Sequence, residues 1–326
     1  MPSSRFPSSC FPVTPRPPIE VPRGFLDAYA LHGPEARKWL AGLPRLGAEF
    51  LDRWRLRPDG PAGHGTASLV LPVVREDGLR AALKLQQPRE ENAGTAAGLL
   101  AWRGDGVVRL LDHDTATATQ LLERLDPSRT PAALDDDDTA MEVLAGLLAR
   151  LTSVAAPPGL RTLAATARAM LEQTPRAVPA LAEPGERRLI EVCAASVADV
   201  AGESGDRLLH WDLHYGNVLA GEREPWLAID PEPLAGDPGF DLLPALDSAW
   251  EKVVASPHGV TGAVLRRFDL LTAALGLERD RAVAWTLGRV LQNALWDIED
   301  GRNALEPAQV AIATALLEHR RIRRTR

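Results

Sequence analysis

The chain has 326 residues, 45% of them apolar and 25% charged, enough for one large domain or two intimate ones around a sizeable core. A net charge of −7 speaks against wholesale binding of nucleic acid, and the lack of any run of about 18 uncharged apolar residues speaks against a membrane-spanning helix. Two cysteines, Cys10 and Cys193, are too few for a disulfide framework or a cysteine-based metal site, and they fit a reducing, cytoplasmic setting.

Residues 1–20 are dense in proline and serine and lack the apolar stretch of a secretory signal, so they read as a disordered extension. Helix-like spacing follows over 25–43, with Phe25, Leu26, Tyr29, Trp39 and Leu40 on one side. Residues 59–65 (DGPAGHG) form a turn, and 67–74 a strand expected to end near Pro72. Gly78 marks a second turn before a strand at 81–85. Residues 89–102 are helical in composition, while 107–111 and 120–125 read as strands.

The character changes at Asp135, after which helices are expected at about 141–151, 160–178, 184–202, 239–256, 262–275, 279–299 and 306–320. A short strand–loop–strand unit interrupts them at 207–230. Residues 21–125 are therefore taken as a sheet-rich lobe and 126–326 as a helical one. The acids of 135–138 would cap the first helix of the second lobe, and the terminal RRIRRTR reads as a solvated basic tail.

Residues 208–219, LLHWDLHYGNVL, place His210, Asp212, His214 and Asn217 in a polar loop between apolar brackets. Asp212 and Asn217 stand five apart, as in the kinase catalytic loop H-x-D-x-x-x-x-N. There the aspartate takes the proton of the attacking hydroxyl, and the asparagine oxygen suits a hard magnesium ion. Thirteen residues further on, the apolar strand WLAID ends at Asp230. A carboxylate there is costly unless paired or bound to a cation, so Asn217 and Asp230 are expected to meet at one metal.

Lys84 sits inside AALKL, in a chain where only three of 37 basic residues are lysine. An ammonium in an apolar strand either snorkels or meets an anion such as the phosphates of ATP. Glu90 and Glu91, taken to lie early in the following helix, are both open as the acid that fixes it, Glu91 being a candidate site residue. Gly60, Gly63 and Gly65 would let backbone N–H groups approach phosphates, although G-x-x-G-x-G is not the protein-kinase spacing. Residues 120–125 would join the lobes, the backbone from Glu123 to Leu125 reading the adenine edge, an inference from order along the chain.

Glycine loop, strand lysine, acid, HxDxxxxN loop and strand-end aspartate follow one another as in kinases, and the set resembles the aminoglycoside phosphotransferase branch of the protein-kinase-like fold. Pro231-Glu232 follow Asp230 where protein kinases have phenylalanine and glycine, and GDPGFDL (236–242) comes too soon to leave room for an activation loop. HWDLHYGNVL, EPWLAIDPEP, GDPGFDL, AALKLQQPREE, GVVRLLDHD, LLERLD and VLQNALWDIEDG narrow the resemblance to the streptomycin 6-phosphotransferases of the aminoglycoside/hydroxyurea resistance kinases, over about residues 20–320.

That resemblance implies an α+β, two-lobed fold with a small antiparallel-sheet N-lobe and a mostly helical C-lobe. It implies transfer of the ATP γ-phosphate to the 6-hydroxyl of the streptidine ring of streptomycin, by a cytoplasmic monomer without nucleic-acid or membrane partners. By position Asp212 would be the base, Asn217 and Asp230 would hold Mg2+, Lys84 would hold the phosphates, and His210 would buttress the loop. The two guanidinium groups of streptomycin call for carboxylates in planar geometry. Asp297 and Asp300, around Trp296, are candidates, as is Asp241 unless it only braces the loop. The competing functions are a kinase for hydroxyurea or another aminocyclitol, and a catalytically dead nucleotide-binding protein. The joint presence of Lys84, Asp212, Asn217 and Asp230 speaks against the latter.

Overall fold

The computed structural model describes residues 19–324, with side chains to Arg320; all but the last two residues of the expected extension, and the side chains of most of the basic tail, lie outside what is described. Contacts divide the chain into two compact units at Gln87/Pro88.

In the first unit the helix expected at 25–43 is two helices, α1 (Arg23–Tyr29) and α2 (Pro34–Arg53). Gly33 separates them at φ 98°, and Pro34 opens α2 at a position whose N–H needs no partner. Phe25, Tyr29 and Trp39 pack their rings together, with centroids 5.2–6.2 Å apart. Strands β1 (Leu56–Pro58), β2 (Gly63–His64), β3 (Ser68–Arg75) and β4 (Arg80–Gln86) follow, and β3 pairs antiparallel with each of the other three. β3 runs through Pro72 instead of ending there. The Pro72 carbonyl accepts the N–H of Asp59 at 2.8 Å, so the missing proline N–H points past the end of β1 and costs the β3–β4 ladder nothing.

The second unit begins with α3 (Thr95–Trp102) and the hairpin of β5 (Leu110–Asp114) and β6 (Thr119–Glu123). The helix expected from 89 starts at Thr95, after turns, and the strand expected at 107 starts at Leu110. Then come α4 (Asp137–Leu151), β7 (Arg161–Thr162), α5 (Leu163–Ala177), α6 (Pro184–Val200), β8 (Arg207–Leu209), β9 (Val218–Leu219), β10 (Leu227–Ala228) and β11 (Leu234–Gly236). The chain finishes with α7 (Leu242–Leu246), α8 (Trp250–Val254), α9 (Gly259–Leu275), α10 (Arg279–Glu299) and α11 (Pro307–Arg324). The helix expected at 239–256 is thus a 3-10 turn followed by α7 and α8.

The division at 87/88 differs from the lobe boundary expected at 125/126. The N–H of Val108 bonds to Ala228 O at 2.8 Å, and that of Asp126 to Ala220 O at 2.9 Å, which ties the β5–β6 region to β10 and the end of β9. α10 is buried at every residue from Ala282 to Gln292 and forms the spine of this unit, packed on α5, α6 and the turn before α7. The acids of 135–138 act structurally. Asp136 caps α4 by accepting the N–H of Thr139 at 3.0 Å, Asp137 takes two bonds from the buried Arg267 of α9, and Asp138 pairs with Arg266. Among the described residues no helix is long and apolar enough to cross a membrane.

Candidate active site

Residues 210–217 hang between β8 and β9. Trp211 has φ 70° and Asp230 φ 60°, a left-handed backbone that a side chain adopts only under constraint. Asp241 supplies much of that constraint: its two oxygens accept the N–H of His210 at 2.8 Å and of Trp211 at 2.7 Å. It is fully buried, and burial lifts its pKa to about 6 in spite of those two bonds. Asp241 therefore braces the loop; sealed from solvent, it is not the substrate contact considered from sequence.

His210 is equally buried, with Nε2 3.0 Å from Ile229 O and Nδ1 accepting the N–H of Asp212 at 3.3 Å. Burial pulls its pKa down to about 3, so the ring is neutral and its tautomer is fixed by these two partners. The buttressing role expected for it agrees with this geometry.

Asp212 is half-exposed. Its Oδ2 accepts from Asn217 Nδ2 at 3.0 Å and lies 3.7 Å from His214 Nε2. The same Nδ2 donates to Asp212 O at 2.8 Å. Burial pushes the Asp212 carboxyl above the ordinary range, against the pull of His214, Arg289 and Asn217. Because the amide nitrogen of Asn217 meets two acceptors, Oδ1 is its unused oxygen. β9 pairs antiparallel with β10, and the Ile229 N–H bonds to Asn217 O at 2.9 Å. Asn217 and Asp230 thus lie at the same end of this ribbon.

In the first unit Lys84 is 7% exposed in β4, opposite Val70, whose other neighbour across β2 is Gly63. Glycine loop and lysine share one cross-strand row. Gly65 closes the loop, its N–H bonded to Ser68 O at 3.0 Å. Glu90 and Glu91 are exposed in turns ahead of α3, which corrects their placement inside a helix. The backbone N–H of Glu123 bonds to Arg109 O at 3.0 Å, and its carboxylate binds Arg223 at 2.8 Å and the Arg109 N–H at 2.7 Å. Leu125 lies beyond the paired residues of the hairpin and is nearly buried. Asp297 is paired with Arg302 at 3.1 Å, and Asp300 is exposed at the C-cap of α10.

Sequence reasoning assigned nothing to Arg289, Arg161 or Glu232. Arg289, 6% exposed, sits with its guanidinium carbon 5.3 Å from the ring centroids of Trp211 and Trp296 and 5.9 Å from that of Phe240. Burial lowers its pKa to about 10, while Asp212, Glu232 and Asp241 hold it up. Arg161 covers Trp211 at 4.3 Å, and the rings of Trp211 and Trp296 stack at 6.2 Å. Glu232 donates its N–H to His210 O at 3.0 Å, and burial and Asp212 push its carboxyl upward. One arginine among many carries no sequence signal; Glu232, standing where protein kinases keep a small residue, does.

The sequence pattern that defines the aminoglycoside/hydroxyurea antibiotic resistance kinases matches residues 53–301. The chain belongs to that family. It is 63% identical to the streptomycin 6-kinase of Streptomyces glaucescens over 302 residues, covering 92% of this chain and 98% of that protein. It is 56% identical to the hydroxyurea phosphotransferase of Kitasatospora aureofaciens, covering 92% of this chain and 86% of that one. This family member is thus a phosphotransferase that acts on a hydroxyl and draws on ATP. A macrolide 2'-phosphotransferase from Brachybacterium faecium superposes with a TM-score of 0.53 at 18% identity, covering 82% of this chain and 96% of that one. The kinase has the α+β, two-lobed protein-kinase-like fold of the aminoglycoside phosphotransferases.

Proposed function

We propose that the chain phosphorylates streptomycin at the 6-hydroxyl of its streptidine ring, as a cytoplasmic monomer using ATP and Mg2+. The observation that supports this most is the 63% identity to a streptomycin 6-kinase along nearly the whole of both chains. The bond between Asn217 and Asp212, with Asp230 at the same end of the β9–β10 ribbon, supports a site able to do the chemistry.

Asp212 would accept the proton of the 6-hydroxyl and align it for in-line attack. Half-exposed, with a carboxyl that burial raises above the ordinary range, it is a better base than a surface aspartate. The residues fit a magnesium ion: Asn217 spends its nitrogen on Asp212 and keeps Oδ1 unused, and a carboxylate at Asp230 completes a pair of hard oxygen donors. Two protein oxygens suit an ion that keeps waters and phosphate oxygens as its other ligands. When bound, the ion supplies charge neutralisation at the phosphates. Lys84, with the Gly63–Gly65 loop in its own row, would hold those phosphates.

A second reading, a kinase for hydroxyurea, is favoured by the 56% identity to a hydroxyurea phosphotransferase. Mass spectrometry after incubation with ATP, Mg2+ and either acceptor separates the two. A single added phosphate on streptidine supports the first reading, and phosphate on hydroxyurea alone overturns it.

A further inference from the structure

A guanidinium next to the reacting hydroxyl needs a carboxylate next to the base. In streptidine the 6-hydroxyl and a guanidino group sit on adjacent ring carbons, so a guanidino nitrogen lies about 3 Å from the oxygen that Asp212 must touch in a staggered arrangement. The acid that receives this group has to flank Asp212 and be free to make two parallel bonds.

The acids near the loop differ in what they have left to offer. Asp241 is sealed and spends both oxygens on backbone N–H groups. Asp297 is held by Arg302, and Asp300 and Glu91 stand exposed. Glu232 differs from all of them. Its backbone is pinned to the catalytic loop through the N–H bond to His210 O, and the preceding carbonyl, of Pro231, takes the buried hydroxyl of Thr95 at 3.2 Å. Pro231 and Pro233 bracket it, and Pro233 packs against Gly94 and Gly98, where an added Cβ would come within 2.5 Å of the proline ring at Gly98. The partly buried carboxylate of Glu232 nevertheless makes no hydrogen bond or ion pair among the described residues.

The neighbouring cations do not take it up. Arg289 and Arg161 lie over the faces of Trp211, Trp296 and Phe240 instead. Trp296, 41% exposed and stacked on Trp211, offers the aromatic face on which a planar guanidinium rests.

We propose that Glu232 receives the guanidinium of streptomycin that neighbours the reacting hydroxyl, and so determines specificity for a cationic aminocyclitol. This rests on the streptomycin reading above and deepens it.

The test compares the full-length chain with Glu232→Gln and Glu232→Asp, both checked for a retained thermal transition. Turnover of streptomycin is measured, and streptomycin binding is measured by calorimetry without nucleotide. An analogue whose guanidino group beside the 6-hydroxyl is replaced by a neutral carbamoyl group serves as the control. Loss of one charge-assisted pair is expected to raise Kd and KM for streptomycin on the order of 10- to 100-fold in Glu232→Gln, with partial recovery in Glu232→Asp. The analogue should bind the Gln variant as well as it binds the wild type. If wild type phosphorylates streptomycin and Glu232→Gln keeps its Kd and KM, this inference is overturned and the function stands. If wild type transfers no phosphate to streptomycin but binds it through Glu232, the function is overturned and the inference stands. Equal losses for streptomycin and the neutral analogue also overturn it.

Discussion

Replacing His210 by phenylalanine makes a measurable quantity of the seal around the catalytic loop. The histidine is fully buried and stacks on Trp102 with centroids 6.3 Å apart; burial depresses its pKa from 6.5 to about 3. A group depressed in the folded state contributes stability above its unfolded pKa and loses it as pH falls toward the folded one. At pH 7.5 the ring is neutral in both states. At pH 5 the unfolded chain binds a proton that the folded chain refuses, which removes about 2 kcal/mol from the wild type. Phenylalanine cannot titrate. It also forfeits the bonds to Ile229 O and the Asp212 N–H, which costs about 1–3 kcal/mol for each buried group left unpaired.

Wild type should therefore exceed His210→Phe in stability by a few kcal/mol at pH 7.5, and the gap should narrow by about 2 kcal/mol at pH 5. Asp241, with its pKa of about 6, titrates in the opposite sense over this window, but it is present in both proteins and cancels in the difference. Urea unfolding followed by tryptophan fluorescence at the two pH values reads the gap directly. A gap that stays constant with pH would show that His210 protonates freely in the folded protein, and the sealed-loop argument would be wrong.

Three further outcomes are expected. Asp212→Asn, which removes the proposed base, should lower turnover by a factor on the order of 10²–10⁴ while ATP binding measured by calorimetry persists; wild-type turnover would remove Asp212 from the mechanism. Asp241→Ala leaves two buried N–H groups without acceptors, and chemical denaturation should show a loss of about 2–6 kcal/mol; an unshifted midpoint would mean those bonds contribute nothing. Gly98→Ala drives a methyl to 2.5 Å from Pro233, so thermal unfolding should report about 1–3 kcal/mol of destabilisation, together with a raised KM for the acceptor because the Glu232 segment moves.

Much of the fold is legible because its signals are local. Strand β4 around Lys84, the helical periodicity of α4, α9, α10 and α11, and the capping acid ahead of α4 all come from short windows of sequence. Boundaries are misplaced where one residue decides them: Gly33 splits a helix, Pro72 is carried through a strand because its N–H side has no partner strand, and 89–94 turns before α3 begins. The placement of Asn217 and Asp230 at one end of the β9–β10 ribbon follows from spacing, since a two-residue ribbon leaves few registers. Asp241, 30 residues and more from the N–H groups it accepts, is identified as a brace only by the fold, and Arg289 is invisible until α10 brings it beneath three aromatic rings. The placement of Glu91 fails because helical composition does not say where a helix begins: the Arg89 N–H is taken by Asn92 Oδ1 at 3.0 Å in a turn, and α3 opens only at Thr95.

The amide of Asn217 also limits what else this position can hold. Its nitrogen faces the carbonyl and the carboxylate of Asp212 together. Aspartate there, a stronger ligand in isolation, would bring lone pair against lone pair, and one of the two acids would keep a proton to relieve the repulsion. If that proton settled on Asp212, the enzyme would gain grip on the ion and lose its base, so electrical neutrality at position 217 lets the two duties sit one bond apart.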